Sequence, residues 1–453
     1  MPSIDPTGLS LMELADHYRQ GELDPADVAD AFLARLSPGE VLRLVTDERA
    51  HRQAAAASRR WRRGRLMGPL DGVPIVVKDL IDTAGDVTGA GSPPWFDGPP
   101  ATVDAPVAAR LDAAGAVFLG KSTMTELAFS GLGLNPHTGT PGNAFDAARV
   151  PGGSSSGSAV AVAQRLAVAA VGSDTGGSVR IPAAFNALVG LKTSDGALPT
   201  DGCVPLSTTL DTLGPIARDA ADTWALWRAM AALPPAELPS APERGRFWAP
   251  TTVWHDGLDP GVRARFEAAV VALRGAGHEV HVAPLEEFAE LDGLYARFGS
   301  FAAHEAWALH EEVLARHGAR MDPRVVDRIR AAAGRPASDY LRLGYARTRL
   351  RQAVWERVRG FDALLAPTVA IAPPPIATLV ADDAAYVDAN LRVLRSTTVG
   401  NLLGTPAASM PVGFDGDGLP VGLMVTTAPG EDAAALAWVG AFERLGLHPV
   451  GGA

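Results

Sequence analysis

The stretch "PGGSSSGSAVAVAQRLAVAAVGSDTGGS" covers residues 151–178 and carries the clearest fold signal in the chain. Its first eight residues, 151–158, predict a loop, and the small apolar residues that follow predict a helix. The run 167–173 has the composition of a buried strand. The next residues, "DTGGS" at 174–178, predict a tight turn and a further helix that begins at Ser178. A loop, a helix, a strand and a second helix in this order are typical of an α/β protein.

The rest of the chain continues the alternation of helices and strands. Residues 73–81 form a short apolar run with β-branched residues, which predicts a buried strand with Lys78 near its end. The segment 235–360 has a mostly helical pattern, whereas 404–427 predicts two strands joined by a turn. Helices are also predicted near both ends, over 5–36 and 431–445. One large α/β domain with a helical insertion in its second half accounts for these patterns.

Composition excludes several classes of function. The 453-residue chain is 47% hydrophobic and 20% charged, as expected of a soluble protein with a large core. Its net charge of −11 argues against nucleic-acid binding through bulk electrostatics. A single cysteine, Cys203, gives no sign of secretion, and we expect its thiol to be buried and inert. Because neither a signal peptide nor a run of about 20 apolar residues is present, we expect a cytoplasmic protein without a membrane partner.

Lysine is nearly absent from the chain. Lysine and arginine together number 40, but the lysines are only Lys78, Lys121 and Lys192. Arginine stays charged, whereas a buried lysine can lose its proton and act as a base. We therefore expect a functional role for Lys78. For Lys121 and Lys192, which close strand-like runs, we expect structural roles with amines that can reach solvent.

Three interpretations of the serine- and glycine-rich stretches fail on context. A flexible linker would separate domains, but 151–158 runs directly into an apolar helix. "GSSSG" at 153–157 matches a nucleophile elbow centred on Ser155, but that motif follows a buried strand, and here charged residues and Pro151 precede it. "DTG" at 174–176 occurs in aspartic proteases. Those enzymes need two such triplets, because two carboxylates share a proton, and this chain has only one.

A fourth interpretation joins both stretches to Lys78. Gly176 and Gly177 allow a tight turn that directs amide hydrogens to one point, and a helix beginning at Ser178 would add its N-terminal dipole. Such amides form an oxyanion hole, and Ser178 stands where a nucleophile is needed. A serine hydroxyl requires a base, and no histidine lies between 138 and 254. Neutral Lys78, acting through a serine of 151–158, is the candidate base.

Three motifs in this order closely resemble the amidase signature family. They are "VVKDL" at 76–80, "PGGSSSGSAVAVA" at 151–163 and "GSDTGGSVRIPAAFNALVGLK" at 172–192. The resemblance continues through 404–423 to the C-terminus and covers nearly the whole chain. It implies one α/β/α amidase domain over residues 1–453, built around a large mixed β-sheet. Within it, a signature core covers about 60–230, and a mostly helical insertion on the substrate side covers about 235–360.

The resemblance implies a Ser–Ser–Lys triad, carried over residue by residue. The lysine of "VVKDL" is the base Lys78. The first serine after the glycine pair is the relay Ser154, which the family holds across a cis peptide bond. The last residue of "DTGGS" is the nucleophile Ser178, which forms the acyl-enzyme. The implied oxyanion hole and substrate contacts are backbone groups of Thr175, Gly176, Gly177, Ser178 and Ala128.

The expected activity is hydrolysis of a carboxylic amide to a carboxylate and ammonia or an amine, with esters or carbamates as further substrates. No metal or cofactor is expected, the partner is a small amide, and a homodimer is left open. Two alternatives also stay open: the A subunit of a glutamyl-tRNA amidotransferase-like complex, and a non-catalytic binding protein on the same scaffold.

Several conspicuous residues have structural explanations. We expect Asp174 to brace its loop by accepting from backbone amides, and Arg180 to pair with an acid such as Asp174. His278 and His281 lack nearby carboxylate or cysteine partners, so they are expected on a strand surface and not at a metal. Because neighbouring strand residues point to opposite faces, Asp79 should point away from Lys78.

Overall fold

Strand β4 (Ala169–Asp174) lies inside an eleven-stranded sheet in the computed structural model, which describes residues 4–447. All of its residues are buried, as expected for a strand of small apolar side chains that is covered on both faces. Strand β2 (Pro74–Lys78) runs parallel to it and is also buried throughout. The predicted strands at 73–81 and 167–173 are therefore confirmed, with Lys78 as the last residue of β2.

The sheet is mixed, as predicted. Parallel pairs join β2 to β3 and β4 at one end of the sheet, and β7 to β8 and β9 at the other. Antiparallel pairs join β1 to β3 and the strands from β4 to β9, in the order β1-β3-β2-β4-β6-β5-β10-β11-β9-β7-β8. The remaining strands are β1 (Leu42–Val45), β3 (Val117–Ser122), β5 (Val189–Lys192), β6 (Thr212–Ala217), β7 (Arg246–Pro250), β8 (Glu279–Ala283), β9 (Ala363–Pro367), β10 (Ala407–Phe414) and β11 (Pro420–Thr426).

Helices cover the sheet and bury most of its side chains. The α-helices of the described residues are α1 (Leu11–Gln20), α2 (Pro25–Leu33), α3 (Asp47–Arg62), α4 (Pro93–Phe96), α5 (Pro106–Ala113), α6 (Ser156–Ala163), α7 (Arg180–Phe185), α8 (Ala220–Met230), α9 (Pro260–Gly275), α10 (Leu291–Phe298), α11 (Phe301–His317), α12 (Pro323–Arg330), α13 (Ala337–Arg357), α14 (Ile376–Ala381), α15 (Asp383–Leu403) and α16 (Asp432–Arg444). Helices α8 and α16 pack together on the central strands, and α6 and α7 form a second buried pair.

Helix α6 shows why the serine-rich stretch contains glycine. A side chain at Gly157 would overlap the carbonyl of Val41 and lie 2.6 Å from Thr123 Oγ1, so only glycine allows this approach. The helix begins at Ser156, so the last three residues of the predicted loop 151–158 are helical, and nearly all of the helix is buried.

The segment 235–360 contains more than helices. Its first half supplies β7 and β8, which form one edge of the sheet with α9 packed against them. Helices α10 to α13 make up the rest of the segment, in agreement with its helical pattern. Between residues 4 and 447, no helix combines the length and the apolar character needed to cross a lipid bilayer.

Candidate active site

Lys78 is completely buried at the end of β2, where it contacts two serines. Its Nζ donates hydrogen bonds to Oγ of Ser154 at 2.7 Å and to Oγ of Ser173 at 2.8 Å. Ser154 belongs to the serine-rich loop, and Ser173 lies near the end of β4. The sequence analysis did not identify Ser173. The parallel pairing of β2 and β4 brings Ser173 to Lys78, because residues at the carboxyl ends of parallel neighbours lie at the same edge of a sheet.

Burial changes the protonation of Lys78. Desolvation lowers the pKa of its amine to about 7, although the charges of Asp174 and Asp211 act in the opposite direction. Asp79 belongs to a separate network, in which its carboxylate accepts hydrogen bonds from Arg43. The prediction that Asp79 points away from Lys78 is therefore confirmed.

The serine-rich loop is buried and joined to the loop that carries Ser178. The peptide bond between Gly153 and Ser154 is cis, as the family resemblance implied. The Ser155 amide donates to the carbonyl of Ser178 at 3.2 Å, which places the two loops side by side. The Ser155 hydroxyl bonds the backbone of Ser173 at 3.3 Å and is not among the cavity-lining groups described below. This location gives no support to Ser155 as an elbow nucleophile.

Asp174 organises the turn that precedes α7. Its carboxylate accepts from the amides of Gly177 at 2.8 Å and Val179 at 3.1 Å, and from the guanidinium of Arg180 at 2.9 Å. Burial acts to raise the pKa of Asp174, but the charge and hydrogen bonds of Arg180, together with Lys192 and Asn401, outweigh it and lower the pKa to about 2. Both predictions for this pair are confirmed: Asp174 braces its loop and Arg180 is its ion partner.

The predicted oxyanion hole needs two corrections. Helix α7 begins at Arg180, two residues after Ser178, and is only six residues long, so Ser178 is not its first residue. The Gly177 amide already donates to Asp174. The amides of Thr175, Gly176 and Ser178 make no hydrogen bond to any residue from 4 to 447. Their N–H groups can therefore donate to a ligand.

A cavity of about 880 Å³ opens at Ser178. Thr175, Gly176, Ser178 and Ala128 all line it, whereas Gly177, Lys78 and Ser154 are not among its lining residues. Ala128 has a left-handed backbone conformation with φ of 57°, which is uncommon for a residue other than glycine. Other lining residues belong to α10, α11 and α12, which the sequence analysis identified only as a helical region, and to α15, which lies outside that region and was not predicted.

Lys121 and Lys192 are fully buried, so the expectation that their amines reach solvent is wrong. Lys121 Nζ donates to Thr88 Oγ1 at 2.7 Å. Lys192 Nζ donates to the carbonyls of Thr193 at 2.7 Å and Thr405 at 3.1 Å. Their burial follows from their place in interior strands of the sheet, and their hydrogen bonds give both lysines structural roles, as expected.

The other conspicuous side chains also have protein partners. His278 accepts a hydrogen bond from the Gly245 amide at 3.0 Å and packs against Phe247, while His281 lies against Trp248. Cys203 is half-buried, and burial raises the pKa of its thiol to about 12, as expected of an inert cysteine. In the part of the chain that the structure describes, no group of three metal-binding side chains comes together.

The sequence of this chain is similar to a known family over most of its length. The profile of the family described as Amidase matches residues 31–436. The chain belongs to the amidase family. It is 37% identical over 450 residues to the 2-amino-5-chloromuconic acid deaminase of Comamonas testosteroni, covering 96% of both chains. It is 33% identical to the A subunit of the glutamyl-tRNA(Gln) amidotransferase of Symbiobacterium thermophilum, over 97% of both chains.

Solved structures agree with this assignment. A crystal structure of an amidase is 32% identical to this chain, with a TM-score of 0.85 over 96% of this chain and 99% of the other. These similarities confirm the single α/β domain around a large mixed sheet. They also establish that this member of the amidase family is a hydrolase that acts on the carbon–nitrogen bond of amides.

Proposed function

We propose that this amidase works through a Ser178 acyl-enzyme, with Ser154 as proton relay and Lys78 as general base. The observation that carries the proposal is the buried Lys78 amine, whose Nζ lies 2.7 Å from Ser154 Oγ and whose pKa burial lowers to about 7. At neutral pH a large share of such an amine is uncharged, and its lone pair can accept a proton.

Proton transfer and bond formation occur together in the proposed mechanism. The Ser178 proton passes to Ser154 while the Ser154 proton passes to Lys78, and Ser178 Oγ forms a bond to the amide carbonyl carbon. The C–N bond then breaks as Lys78 returns the proton through Ser154 to the leaving nitrogen. Water attacks the acyl-enzyme by the same relay, which releases the carboxylate and restores Ser178. Every step uses this chain and water, so the mechanism requires no metal and no cofactor.

The oxyanion that forms during attack needs hydrogen-bond donors. We assign this role to the amides of Thr175, Gly176 and Ser178, which lie at the cavity and have no protein acceptor among residues 4–447. Gly177 shapes the turn instead, because its amide donates to Asp174. Ala128, which lines the same cavity, is the proposed backbone contact for the rest of the substrate.

The second half of the domain shapes the substrate pocket in this proposal. Helices α10 to α12 and α15 line the cavity, while the signature core supplies the reacting groups. Esters and carbamates that fit should also react, because the same acyl-enzyme can form.

We further propose that the protein is located in the cytoplasm, which cell fractionation would test. We also propose that it forms a homodimer, which light scattering would test.

A second candidate function is the A subunit of an amidotransferase complex. The 33% identity to the A subunit of the Symbiobacterium thermophilum amidotransferase, over 97% of both chains, favours it. This function predicts co-purification with partner subunits and little turnover by the isolated chain. A non-catalytic binding role on the same scaffold predicts no turnover, either by the isolated chain or by the chain together with partner subunits.

Labelling of the nucleophile tests the main proposal. A serine-directed fluorophosphonate should add its mass at Ser178 of the purified protein, and Ser178→Ala should abolish both the label and the turnover of a panel of amides, anilides and carbamates. Circular dichroism should show that the variant remains folded. A label on Ser155 would overturn the assignment of Ser178 in favour of the nucleophile elbow.

A further inference from the structure

Two consecutive residues at the start of β6 contact the turn that carries the proposed oxyanion hole. Strands β4 and β6 pair antiparallel, with Asp174 opposite Thr212. Thr212 Oγ1 donates to the main-chain carbonyl of Asp174 at 2.9 Å. The carboxylate of Asp211, the residue before Thr212, accepts from Thr175 Oγ1. Asp211 and Thr212, called the clamp below, therefore hold the turn on both sides of a single peptide bond.

The contact with the carbonyl fixes the direction of the Thr175 amide. The peptide bond between Asp174 and Thr175 is trans, so its C=O and N–H bonds point in opposite directions in one plane. The Asp174 carbonyl accepts from Thr212 Oγ1 at 2.9 Å and from Asn401 Nδ2 at 3.2 Å. At the other end of this peptide group lies the Thr175 N–H, which has no acceptor among residues 4–447 and belongs to a residue that lines the cavity.

Asp211 fixes the Thr175 side chain. One carboxylate oxygen of Asp211, Oδ2, accepts from the amides of Leu206 at 2.9 Å and Ser207 at 3.0 Å. Because both amides donate to Oδ2, the other oxygen, Oδ1, is held facing the Thr175 hydroxyl. Burial raises the pKa of Asp211 to about 6, so most of the carboxylate is charged at neutral pH and accepts from all three donors.

The loop that carries Asp211 is attached to the helical wall of the cavity. Ser207 Oγ donates to Glu305 Oε2 at 2.6 Å, and the Thr209 amide donates to the same oxygen at 3.0 Å. Glu305 belongs to α11, a helix that lines the cavity. A continuous set of hydrogen bonds therefore joins the turn at 174–178 to a wall of the pocket, which limits the movement of the clamp.

We propose that Asp211 and Thr212 are positioning residues for the reaction, which hold the Thr175 amide in the direction from which it donates to the oxyanion. This inference rests on the proposed function, which places the oxyanion at that amide. Neither residue of the clamp lines the cavity, so both act through Thr175. An oxyanion hole stabilises charge that develops during the reaction, so a loosened amide should lower kcat and leave substrate binding nearly unchanged.

Variants of nearly unchanged size test the clamp. Thr175→Val and Thr212→Val each remove one hydroxyl. In Asp211→Asn the side-chain oxygen can still accept from the two main-chain amides, but the new NH2 group offers Thr175 no acceptor. Loss of a complete oxyanion donor costs about 100- to 1000-fold in kcat, and a misdirected donor should cost part of that. Each variant should therefore lower kcat for hexanamide by about tenfold and leave KM within about twofold.

The rates are compared at about pH 9, where Lys78 is mostly neutral. This choice is needed because the charge of Asp211 also raises the pKa of the Lys78 amine, so that Asp211→Asn changes the pH profile as well as the clamp. A loss of kcat that disappeared at this pH would show that Asp211 acts only on Lys78, and would overturn its role in the clamp.

A double variant separates the hydrogen bond from general packing. Asp211→Asn/Thr175→Val should be within about twofold of either single variant, because both changes remove the same hydrogen bond. Losses that multiply in the double variant would overturn the role of this bond.

Inhibition by hexanal reports on the oxyanion site directly. Ser178 Oγ bonds to the aldehyde carbon while the Ser178 proton passes through Ser154 to Lys78, which leaves a tetrahedral oxyanion. The inhibition constant of hexanal should therefore rise by about tenfold in Asp211→Asn and in Thr212→Val. Equal inhibition of the wild type and both variants would contradict the clamp.

Asp432→Asn and Thr193→Val are the matched controls. The Asp432 carboxylate also accepts from an amide and a hydroxyl, those of Ser194 at 2.9 and 2.6 Å. Thr193 Oγ1 donates to the Leu213 carbonyl of β6 at 3.0 Å. Within the described part of the chain, neither side chain bonds the turn at 174–178. Both variants should therefore leave kcat and the hexanal inhibition constant within about twofold of the wild type, even where the urea midpoint falls.

Fluorophosphonate labelling distinguishes failure of this inference from failure of the proposed function. A label at Ser178 of the wild type, together with unchanged kcat in Asp211→Asn and Thr212→Val, would overturn the clamp alone. Absence of that label would overturn the acyl-enzyme and, with it, the role of the Thr175 amide at the oxyanion.

Discussion

Lys78 and Asp79 are consecutive residues whose side chains belong to separate networks. The Lys78 amine bonds Ser154 and Ser173, whereas the Asp79 carboxylate bonds Arg43 and lies 3.6 Å from Lys121. Asp79 does not stabilise the ammonium form of Lys78. It therefore does not oppose the effect of burial, which lowers the pKa of the Lys78 amine. The proposed role of Lys78 as a base at neutral pH depends on this separation.

The pH dependence of activity should report this lowered pKa. Only neutral Lys78 accepts a proton, and its pKa is about 7 where 10.5 is the ordinary value. The kcat/KM for hexanamide should therefore fall as pH decreases through about 7, approaching a tenfold loss for each further pH unit. A profile that stays flat well below pH 7 would contradict the base role.

Arginine should not replace Lys78. Lys78→Arg should be nearly as inactive as Lys78→Ala, because arginine keeps its charge and cannot accept the Ser154 proton. Lys121→Arg is the control, since Lys121 is a buried lysine of β3 that contacts Thr88 and no proposed catalytic group. We expect it to retain activity, as measured by kcat/KM with circular dichroism as a check on folding. Substantial turnover by Lys78→Arg would show that only a positive charge is needed.

Ser173 should act as a positioning residue for Lys78. Ser173→Ala removes the second acceptor of the amine, which should lower kcat by about tenfold and leave KM unchanged. The midpoint of the pH profile should also move to lower pH, because the ammonium form loses more than the neutral form. Ser158→Ala is the control, since this buried serine bonds Ser122 and not Lys78. An unchanged midpoint in Ser173→Ala would indicate a packing role alone.

Arg180 should matter more for stability than any exposed ion pair. Arg180→Met leaves the Asp174 carboxylate buried without its counter-charge, and the expected loss in free energy of unfolding is about 3–5 kcal/mol. Arg316→Met, which breaks the exposed pair with Glu312, should leave the urea midpoint nearly unchanged.

Acid should also destabilise the wild type. The pKa of Asp174 is about 2 in the folded protein and 3.8 ordinarily. The contribution of the charged Asp174 to the free energy of unfolding is therefore complete above pH 3.8 and is lost as pH falls towards 2. If Arg180→Met were as stable as the wild type, the ion pair would not be needed to hold the turn before α7.

The sequence predicted those parts of the molecule that depend on local patterns. The strands that end at Lys78 and Asp174 are continuous apolar runs, and the glycines of 174–178 mark the turn. Strand β7 was missed inside the segment 235–360, whose overall pattern is helical, whereas a strand was expected around His281, which lies in β8. The helix after Ser178 was placed two residues early, because Gly177 has a non-helical φ of 135° in the turn that precedes the helix.

Long-range pairing explains the remaining differences. Ser173 becomes a neighbour of Lys78 only when β2 and β4 pair in register, and no spacing in the chain shows that register. Lys192 is buried because β5 pairs with strands on both sides, one of them more than 200 residues later in the chain.

The helical wall of the cavity should control selectivity without controlling stability. Ala331 is exposed and lines the cavity just after α12, so Ala331→Leu narrows the cavity without disturbing the core. We expect kcat/KM for bulky anilides to fall by about tenfold, because overfilled space forces displacements, while small amides are little affected. Ala333→Leu adds the same side chain two residues away, at an exposed position that does not line the cavity, and should leave the panel and the urea midpoint unchanged. If both variants lost activity equally, or if neither changed the preference between bulky and small amides, the substrate would have to occupy a different part of the molecule.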